Sequence, residues 1–248
     1  MSQVFSTEEL SLVDLKKMPK HVAIIMDGNR RWARQNGISK FSGHKKGADN
    51  LIRIVSAAAN LNIKILTVYA FSTENRDRSG KEVSHLWKLF EEYLAKYEKE
   101  FLKKEIRVQI IGDISKCPLS LQKRMTRVVK ATSQGKKITL VLAINYGGRN
   151  EILRSFKKML GDYDKKVFNK DEISEDMIAS YLDTAELSDP ELLIRTSGEL
   201  RLSNFLLWQL SYSEFYIAET FWPDFSPKEL LKALVGFQNR NRRFGGCE

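Results

Sequence analysis

Cysteine, histidine and long apolar runs are scarce in this 248-residue chain, and each shortage excludes a class of structure. The two cysteines, Cys117 and Cys247, give no disulfide framework, which favours a reducing, cytoplasmic setting. The three histidines lie far from those cysteines, so no zinc-ligand spacing is present. No stretch of about 18 uncharged apolar residues occurs, and no membrane span is expected.

Several common motifs are also missing. The sequence has no G-x-x-x-x-G-K-[ST] loop and no G-x-G-x-x-G after an apolar run, which disfavours the common nucleotide-binding folds. No Ser/His/Asp arrangement can be assigned. No linker rich in proline, glycine or serine divides the chain, so one domain is predicted over residues 20–248. The preceding residues, 1–19, are polar, lack the apolar core of a secretory signal and are expected to be flexible.

Positive charge is in excess. Lysine and arginine number 41 against 31 aspartates and glutamates, a net charge of +10. This excess indicates anionic partners, which could be nucleic acid, phosphorylated small molecules or an anionic membrane surface. The basic residues are spread along the chain, so charge alone does not choose among these partners.

Six short apolar runs predict strands, and helical patterns lie between them. Because most runs are nearly continuous in Val, Ile and Leu, strands covered on both faces are indicated. The alternation predicts an α/β fold of a single domain, with a six-stranded, mostly parallel sheet flanked by helices. The runs are His21–Met26, Ile65–Phe71, Val108–Gly112, Ile138–Ile144, Leu192–Ile194 and Glu214–Ala218.

Two helices have the clearest patterns. From Lys81 to Lys104 an aromatic and aliphatic stripe recurs every three to four residues, with lysine and glutamate opposite. Near the end of the chain, Ser226 is predicted to cap a helix, with Pro227 in the first position and Glu229 completing a capping box.

Polar clusters follow four of the predicted strands at their carboxyl ends. In an open parallel sheet ligands bind along that edge, so the clusters are expected to share one crevice. They are Asp27 to Trp32, Ser72 to Arg78, Asn145 to Arg149 and Arg195 to Ser203. The cluster from Asn145 to Arg149 is interpreted as a turn that shapes the crevice.

The composition of these clusters suits a phosphorylated ligand. A tight turn at Gly28 and Asn29 can open a helix whose free N–H groups favour an anion, and the arginines add forked donors. Asp27 would repel a diphosphate unless Mg²⁺ lay between them, while its alternative role is a helix cap. His44, among basic neighbours, is either structural or a phosphate contact.

Taken together, the ordered motifs from about residue 20 to 246 resemble the cis-prenyltransferase family. The residues that carry this resemblance are His21 to Asn29 with Arg31-Trp32, Tyr69 to Asn75, Ile110 to Asp113, Asn145 to Arg149, Ile194 to Thr196, Ser203 to Gln209, Trp222 to Phe225 and Asn239 to Gly246.

The resemblance implies an enzyme: a Mg²⁺-dependent transferase that condenses isopentenyl diphosphate with an allylic diphosphate, typically farnesyl diphosphate. The expected product is a long-chain polyprenyl diphosphate, taken to be undecaprenyl diphosphate, the carrier lipid of cell-wall glycans. A homodimer is implied, with the protein in the cytoplasm and in peripheral contact with the inner face of the membrane for product release.

The resemblance also implies site residues. Asp27 and Asn75 are the expected catalytic residues, and Asp27 with Glu214 would hold Mg²⁺. The proton acceptor stays open between Asn75, a diphosphate oxygen and Asp27. The expected substrate-binding residues are Gly28, Asn29, Arg30, Arg31, Trp32, Lys40, His44, Ser72, Thr73, Glu74, Arg76, Arg78, Arg195, Arg201, Leu202 and Ser203. The C-terminal Arg243 to Gly245 would reach the partner subunit.

Four positions depart from the family pattern. Arg30 stands where many members have glycine, Arg76 replaces a tryptophan, Lys40 replaces an arginine and Leu200 stands where some members have a histidine near the metal. Lys40 keeps the charge but loses the forked donors. These departures bear on substrate affinity and metal binding more than on the reaction class.

A growing prenyl chain needs an apolar tunnel. The helix from Lys81 to Lys104, with Ile106, Val108 and Ile138, is predicted to line it, although the same stripe would also suit ordinary core. A nucleic-acid-binding protein is the main alternative, and it is disfavoured because the arginines sit beside acids at strand ends. The second alternative is a non-catalytic subunit of a heteromeric prenyltransferase. The presence of the Asp27 motif disfavours it, because such subunits tend to lack that motif.

Overall fold

The computed structural model describes residues 4–240 and contains all six predicted strands. The strands are β1 (His21–Ile25), β2 (Ile65–Ser72), β3 (Ile106–Ile111), β4 (Ile138–Tyr146), β5 (Leu192–Thr196) and β6 (Glu214–Ala218). Their order in the sheet is β3-β4-β2-β1-β5-β6, and every neighbouring pair is parallel. The sheet that the sequence predicted as mostly parallel is therefore wholly parallel.

Helices connect the strands and cover both faces of the sheet. They are α1 (Thr7–Ser11), α2 (Asn29–Gln35), α3 (Lys40–Asn60), α4 (Gly80–Lys103), α5 (Leu119–Thr132), α6 (Gly148–Asp164), α7 (Glu175–Tyr181) and α8 (Pro227–Gln238). The capping box predicted for α8 is half formed: Ser226 Oγ accepts the N–H of Glu229 at 3.3 Å, but the Glu229 carboxylate binds Lys232 instead.

The topology places a crevice at the carboxyl end of β1. From β1 the chain moves to β2 on one side, whereas β5 pairs with the other side of β1 and leads outward to β6. Connections that leave in opposite directions open a crevice between neighbouring strands, and ligands bind there in sheets of this kind. The residues that follow β1 and β5 therefore face each other across this crevice.

The N-terminal segment packs on the domain from residue 4 onward. Phe5 is buried in the main hydrophobic core, and Asp14 exchanges two backbone hydrogen bonds with the side chain of Gln238 at the end of α8. The chain therefore packs on the domain well before residue 20, where the domain was expected to begin. Burial of the Phe5 ring stabilises this packing although the neighbouring residues are polar. Within residues 4–240, no helix combines the length and the apolar character needed to cross a bilayer.

A buried histidine in β1 links stability to pH. The Nδ1 atom of His21 donates to the Ser188 carbonyl at 2.5 Å, and its Nε2 lies 2.7 Å from the Thr67 hydroxyl. Burial lowers the pKa of His21 to about 4. The unfolded chain takes up a proton near pH 6.5, whereas the folded protein resists until about pH 4, so stability should fall as the pH falls through this window.

We expect this histidine to cost ~2 kcal/mol of unfolding free energy at pH 5 relative to pH 7. Urea unfolding at the two pH values measures the loss. His21→Gln, which cannot titrate, should show a smaller difference between them. An unchanged difference in that variant would exclude His21 as the source.

Candidate active site

Asp27 lies at the crevice, two residues after the end of β1, and it binds Arg195 near the end of the neighbouring strand β5. Arg195 of β5 donates from Nη2 to Asp27 Oδ2 at 2.9 Å and from Nη1 to the Ser203 hydroxyl at 2.8 Å, and it also binds the Arg201 carbonyl. Arg195 is only 3% exposed. A charge this deeply buried requires a partner, and Asp27 supplies it.

The alternative role of Asp27, a helix cap, is wrong. Gly28 occupies the N-cap position of α2 with a φ of 101°, and Asp27 Oδ1 accepts the backbone N–H of the adjacent Gly28, at 2.7 Å, rather than one from inside the first turn of α2. A side chain at residue 28 would place its Cβ 2.2 Å from Ser197 Oγ, so only glycine fits this turn. The first N–H groups of α2 therefore keep no side-chain acceptor.

A second carboxylate, Glu199, completes what we call the Asp27 cluster: Asp27, Arg31, Arg195, Glu199 and Arg201. Arg31 lies 2.6 Å from Glu199 and 3.3 Å from Asp27, and Arg201 bridges the same two acids. Burial acts to raise the pKa of Asp27, but the hydrogen bonds from Arg195 and Gly28 and the nearby positive charges lower it overall. Asp27 is therefore ionised at neutral pH.

Glu82, at the start of α4, lies among three cations and a histidine, and together they form the Glu82 cluster: Arg30, Lys40, His44, Arg78 and Glu82. Its carboxylate lies 2.5 Å from Lys40 Nζ, 3.1 Å from Arg78 Nη1 and 4.0 Å from Arg30 Nε. Its side chain is 2% exposed, while those of its three cationic partners are between 27% and 56% exposed.

Glu82 is not among the site residues predicted from the sequence. Burial acts to raise its pKa, but the bond from Lys40 and the charges of Arg30 and Arg78 lower it overall, so it stays ionised. One available signal was the spacing of Arg78 and Glu82, which are four residues apart across a helix start. The other cations come from α2 and α3, and only the tertiary structure brings them there.

A polar cleft of about 740 Å³ lies between the two clusters. Its ionisable lining comprises six cations and two carboxylates, Asp27 and Glu199. A cleft with this imbalance attracts a small polyanion, because each cation stabilises negative charge placed between them. The lining residues are Met26, Asp27, Gly28, Asn29, Arg30, Arg31, Arg34, Ile38, Lys40, His44, Arg78, Glu199 and Arg201.

Met26, Asn29 and His44 line both the polar cleft and an adjoining apolar cavity. His44 Nε2 and Asn29 Oδ1 are buried and have no hydrogen-bond partner in the described structure. Burial, and then the charge of Arg78, lowers the pKa of His44 to about 4, so the ring is neutral at pH 7. Unpaired buried polar atoms are uncommon, and at this junction they are placed to meet a ligand.

The apolar cavity has a volume of about 100 Å³. It lies between α3, α4 and β4, as the stripe on α4 predicted, but the predicted wall residues Ile106, Val108 and Ile138 are core residues outside its lining. A cavity of about 150 Å³ holds benzene, so this one holds less than a short prenyl chain. A continuous tunnel is thus not shown. The principal lining residues are Ala48, Leu51, Ile52, Leu86, Leu89, Phe90, Tyr93, Tyr97, Phe101, Leu140, Leu142 and Ile144.

Several predicted site residues lie outside the cleft lining. Ser72 and Asn75 bind each other reciprocally and cap the turn Thr73–Asp77. Glu74 binds the side chain of Asn204 at 2.8 Å, and Trp32 donates to Asp224 at 2.7 Å. The Ser203 hydroxyl accepts a hydrogen bond from Arg195. Leu202 packs against a second, smaller cluster of buried hydrophobic residues. Thr73 and Arg76 share the turn with Asn75, and Arg243 to Gly245 lie outside the described residues.

The structure does not bring Glu214 to Asp27. Glu214 pairs with Leu192 at the amino end of β5, and Leu192 in turn pairs with Val22. At ~3.3 Å per residue, roughly 16 Å of strand separates that level from Asp27. Glu214 binds Arg240 instead, at 2.7 Å. Within one chain the parallel register therefore places these two acids at opposite edges of the sheet, and a Mg²⁺ ion held by both stays a prediction.

No group of three or more acidic, histidine or cysteine side chains that could hold a metal occurs among residues 4–240. Asp27 lines the cleft together with Glu199, and its side chain is 28% exposed. Mg²⁺ commonly uses one or two carboxylates together with phosphate oxygens and water. The residues present fit a Mg²⁺ ion that arrives with a diphosphate.

Comparison with known sequences gives one family. The family described as putative undecaprenyl diphosphate synthase matches residues 25–245. The chain is 45% identical to an isoprenyl transferase of Chlamydia pneumoniae, covering 99% of this chain and 100% of that protein. It is 45% identical to an isoprenyl transferase of Bacillus cereus, covering 92% and 89% of the two chains.

Solved structures agree with the sequences. The fold is similar to that of lavandulyl diphosphate synthase from Lavandula x intermedia, whose crystal structure is a complex with dimethylallyl diphosphate, with a TM-score of 0.90 and 38% identity. It is also similar to a probable undecaprenyl diphosphate synthase from Campylobacter jejuni, with a TM-score of 0.77 and 32% identity. Each match covers 92% of this chain and 99% of the other.

Proposed function

Because the chain belongs to the undecaprenyl diphosphate synthase family, we propose that it is a cis-prenyltransferase that adds isopentenyl diphosphate to an allylic diphosphate. The observation that carries this proposal is the junction of a cationic cleft with an apolar cavity, at Met26, Asn29 and His44. A prenyl diphosphate has the matching form, since one end is a polyanion and the other is a hydrocarbon.

The allylic substrate would place its diphosphate among Arg30, Lys40 and Arg78, with the N–H groups of α2 nearby. Its hydrocarbon chain would enter the apolar cavity past His44, whose neutral ring can donate one hydrogen bond. Farnesyl diphosphate is the proposed starter. The shorter dimethylallyl diphosphate, which the lavender enzyme binds, is the alternative. Arg30 adds a cation here, and Lys40 keeps one, so these two departures from the family pattern preserve the positive charge.

Isopentenyl diphosphate would be held by Arg195, Arg201 and Ser203, next to Asp27. Arg195 and Arg201 now bind Asp27 or Glu199, so a diphosphate would replace these carboxylates as the acceptor. As the allylic C–O bond breaks, charge accumulates on the leaving diphosphate, and the cations of the cleft stabilise it. The isopentenyl double bond attacks the allylic carbon, which requires close positioning of two weak reactants.

A proton then leaves the new unit. An amide is a poor base, and the Asn75 amide oxygen already accepts the Ser72 N–H at 3.3 Å. A diphosphate oxygen and the ionised Asp27 are the acceptors that we propose. Mg²⁺, held by Asp27 and the diphosphate oxygens, would supply electrostatic stabilisation of the leaving group.

The test is direct. The purified protein is incubated with labelled isopentenyl diphosphate, farnesyl diphosphate and Mg²⁺, and the extracted lipid is sized. We expect polyprenyl diphosphates that disappear when Mg²⁺ is chelated. Undecaprenyl diphosphate as the main product would support a role in supplying the carrier lipid of cell-wall glycans. Absence of any lipid product, together with salt-sensitive binding of DNA or RNA, would instead support the nucleic-acid alternative.

The two diphosphate sites can be separated by mutation. Arg195→Ala is expected to raise KM for isopentenyl diphosphate by about 10-fold or more, because the charge-assisted hydrogen bonds from its guanidinium to that diphosphate would be lost. KM for farnesyl diphosphate should rise much less. Arg78→Ala, in the Glu82 cluster, is the matched variant and should show the opposite preference. Equal effects of each variant on both substrates would contradict the site assignment.

We propose that the chain forms a homodimer through α6. Leu153, Phe156, Leu160 and Tyr163 recur every three to four residues on this helix, and each is 45% to 56% exposed. An apolar stripe of this length on a helix indicates an interface. Sedimentation velocity should give twice the mass of the 28.6 kDa chain, and a monomer at all concentrations would oppose the proposal. Peripheral membrane contact stays a prediction.

A further inference from the structure

Two tyrosines of α4 close the apolar cavity on its α3 side. The rings of Tyr93 and Tyr97 line the cavity, while their hydroxyl groups reach Asp49 of α3. Tyr93 donates to Asp49 Oδ1 at 2.6 Å and lies 3.2 Å from the Lys45 carbonyl oxygen, and the Tyr97 hydroxyl lies 3.5 Å from Asp49. The same side chains therefore form the cavity wall and join the two helices.

Lys96 reinforces this contact from the outside. Its ammonium group lies 3.7 Å from Asp49 Oδ1 and stands over the rings of Tyr93 and Tyr97, at 5.3 and 4.8 Å from their centres. A cation over an aromatic face is attracted to it. Burial and the bond to Asp49 raise the pKa of Tyr93, so its hydroxyl remains a proton donor at neutral pH. We call Asp49, Tyr93, Lys96 and Tyr97 the seam.

The cavity must widen to hold a product. At about 100 Å³ it is smaller than the ~150 Å³ cavity that accommodates benzene, whereas a farnesyl chain alone is much larger. The β4 wall cannot yield easily, because β4 is hydrogen-bonded on both sides, to β2 and to β3. The α3–α4 wall is joined by side chains alone, since each helix satisfies its own backbone groups.

We propose that the Tyr93–Asp49 contact limits how far α3 and α4 separate, and so makes Asp49 and Tyr93 determinants of product chain length. This inference rests on the proposed prenyltransferase function. Each added unit gains apolar contact inside the cavity, but it must also spread the two helices and strain the seam. Growth ends sooner when the seam resists, and a weaker seam allows longer chains.

The experiment compares Tyr93→Phe, Asp49→Ala and their double variant with wild-type protein. Tyr93→Phe keeps the ring in the cavity wall and removes only the hydroxyl. Glu92→Gln is the matched control, because it changes the next residue of α4, whose carboxylate is exposed and pairs only weakly with Lys88, at 3.9 Å. Products from labelled isopentenyl diphosphate are sized, and amide hydrogen exchange of α3 and α4 is measured without substrate.

We expect both single variants to shift the mean product length upward by one or more five-carbon units, with Glu92→Gln unchanged. The double variant should match the stronger single variant, because both changes remove the same contact. Amide hydrogen exchange in α3 and α4 near the seam should become roughly 3- to 10-fold faster, because the variants lose the stabilisation that one hydrogen bond provides.

Product lengths equal to wild type in both single variants would overturn the inference and leave the proposed function intact. If wild-type protein makes no lipid at all, the proposed function fails. The seam is then judged by exchange and by binding of farnesol, measured by fluorescence quenching of the cavity aromatics. Unchanged exchange and unchanged farnesol affinity in the variants would then overturn it. A poorly folded Asp49→Ala leaves Tyr93→Phe as the deciding variant.

Discussion

Asp27→Ala is expected to lower kcat for prenyl transfer by about 100- to 1000-fold, the loss typical of removing one preorganised electrostatic group. Two effects contribute. The variant loses the carboxylate that would hold Mg²⁺ against the diphosphate, and the buried Arg195 loses its carboxylate partner and keeps only Ser203 and the Arg201 carbonyl. A buried guanidinium without a carboxylate partner reorients toward other acceptors, and the proposed isopentenyl site would change shape.

Steady-state kinetics at saturating Mg²⁺ and both substrates measure this loss. Glu186→Gln is the control, since its carboxylate is 80% exposed and pairs with Arg107 away from the cleft. Urea unfolding should confirm that Asp27→Ala remains folded. A folded variant with kcat near that of wild type would remove Asp27 from the chemistry and, with it, the proposed metal site.

Glu82→Gln is expected to lower kcat/KM for the allylic substrate by about 10- to 100-fold, although Glu82 itself does not line the cleft. Its carboxylate holds Lys40, Arg78 and Arg30 at one point. The amide has nearly the same shape but no charge, so the three cations repel one another and lose their common orientation. Small displacements of positioning groups carry rate losses of this size.

The matched control is again Glu92→Gln, the same substitution on the exposed side of the same helix. A positioning role predicts that KM for the allylic substrate rises more than KM for isopentenyl diphosphate. It also predicts that Glu82→Asp restores part of the loss. Because the pKa of Glu82 is lowered, its contribution is complete at neutral pH and is lost only as the pH falls through that lowered pKa. Equal losses for both substrates would indicate general destabilisation instead.

Most of the cations around the cleft are already paired with carboxylates, although cations remain in excess, and this pairing has a consequence for binding. Arg195, Arg31 and Arg201 are paired with Asp27 and Glu199, and Lys40 and Arg78 are paired with Glu82. A diphosphate therefore exchanges partners rather than meeting free cations. Such preorganised pairs hold the side chains near their binding positions and keep like charges from repelling one another before the substrate arrives.

Much of the fold was determined by local sequence. Continuous Val, Ile and Leu runs specify strands buried on both faces, and strands of that kind occur in parallel sheets covered by helices. Once the sheet is parallel, polar clusters at the carboxyl ends of strands must share one edge. The sequence therefore predicted all six strands and the grouping of Asp27 with Arg195, Arg201 and Ser203, because parallel strands joined by helices all end at the same edge of the sheet.

Other features depended on packing that no local pattern records. Glu82 became the centre of a cation cluster because α2, α3 and α4 converge on its carboxylate. The apolar cavity likewise has walls from α3 and α4, whose side chains Asp49 and Tyr93 make contact although they are remote in sequence. Contacts of this kind arise between residues remote in sequence, and only the tertiary structure contains them.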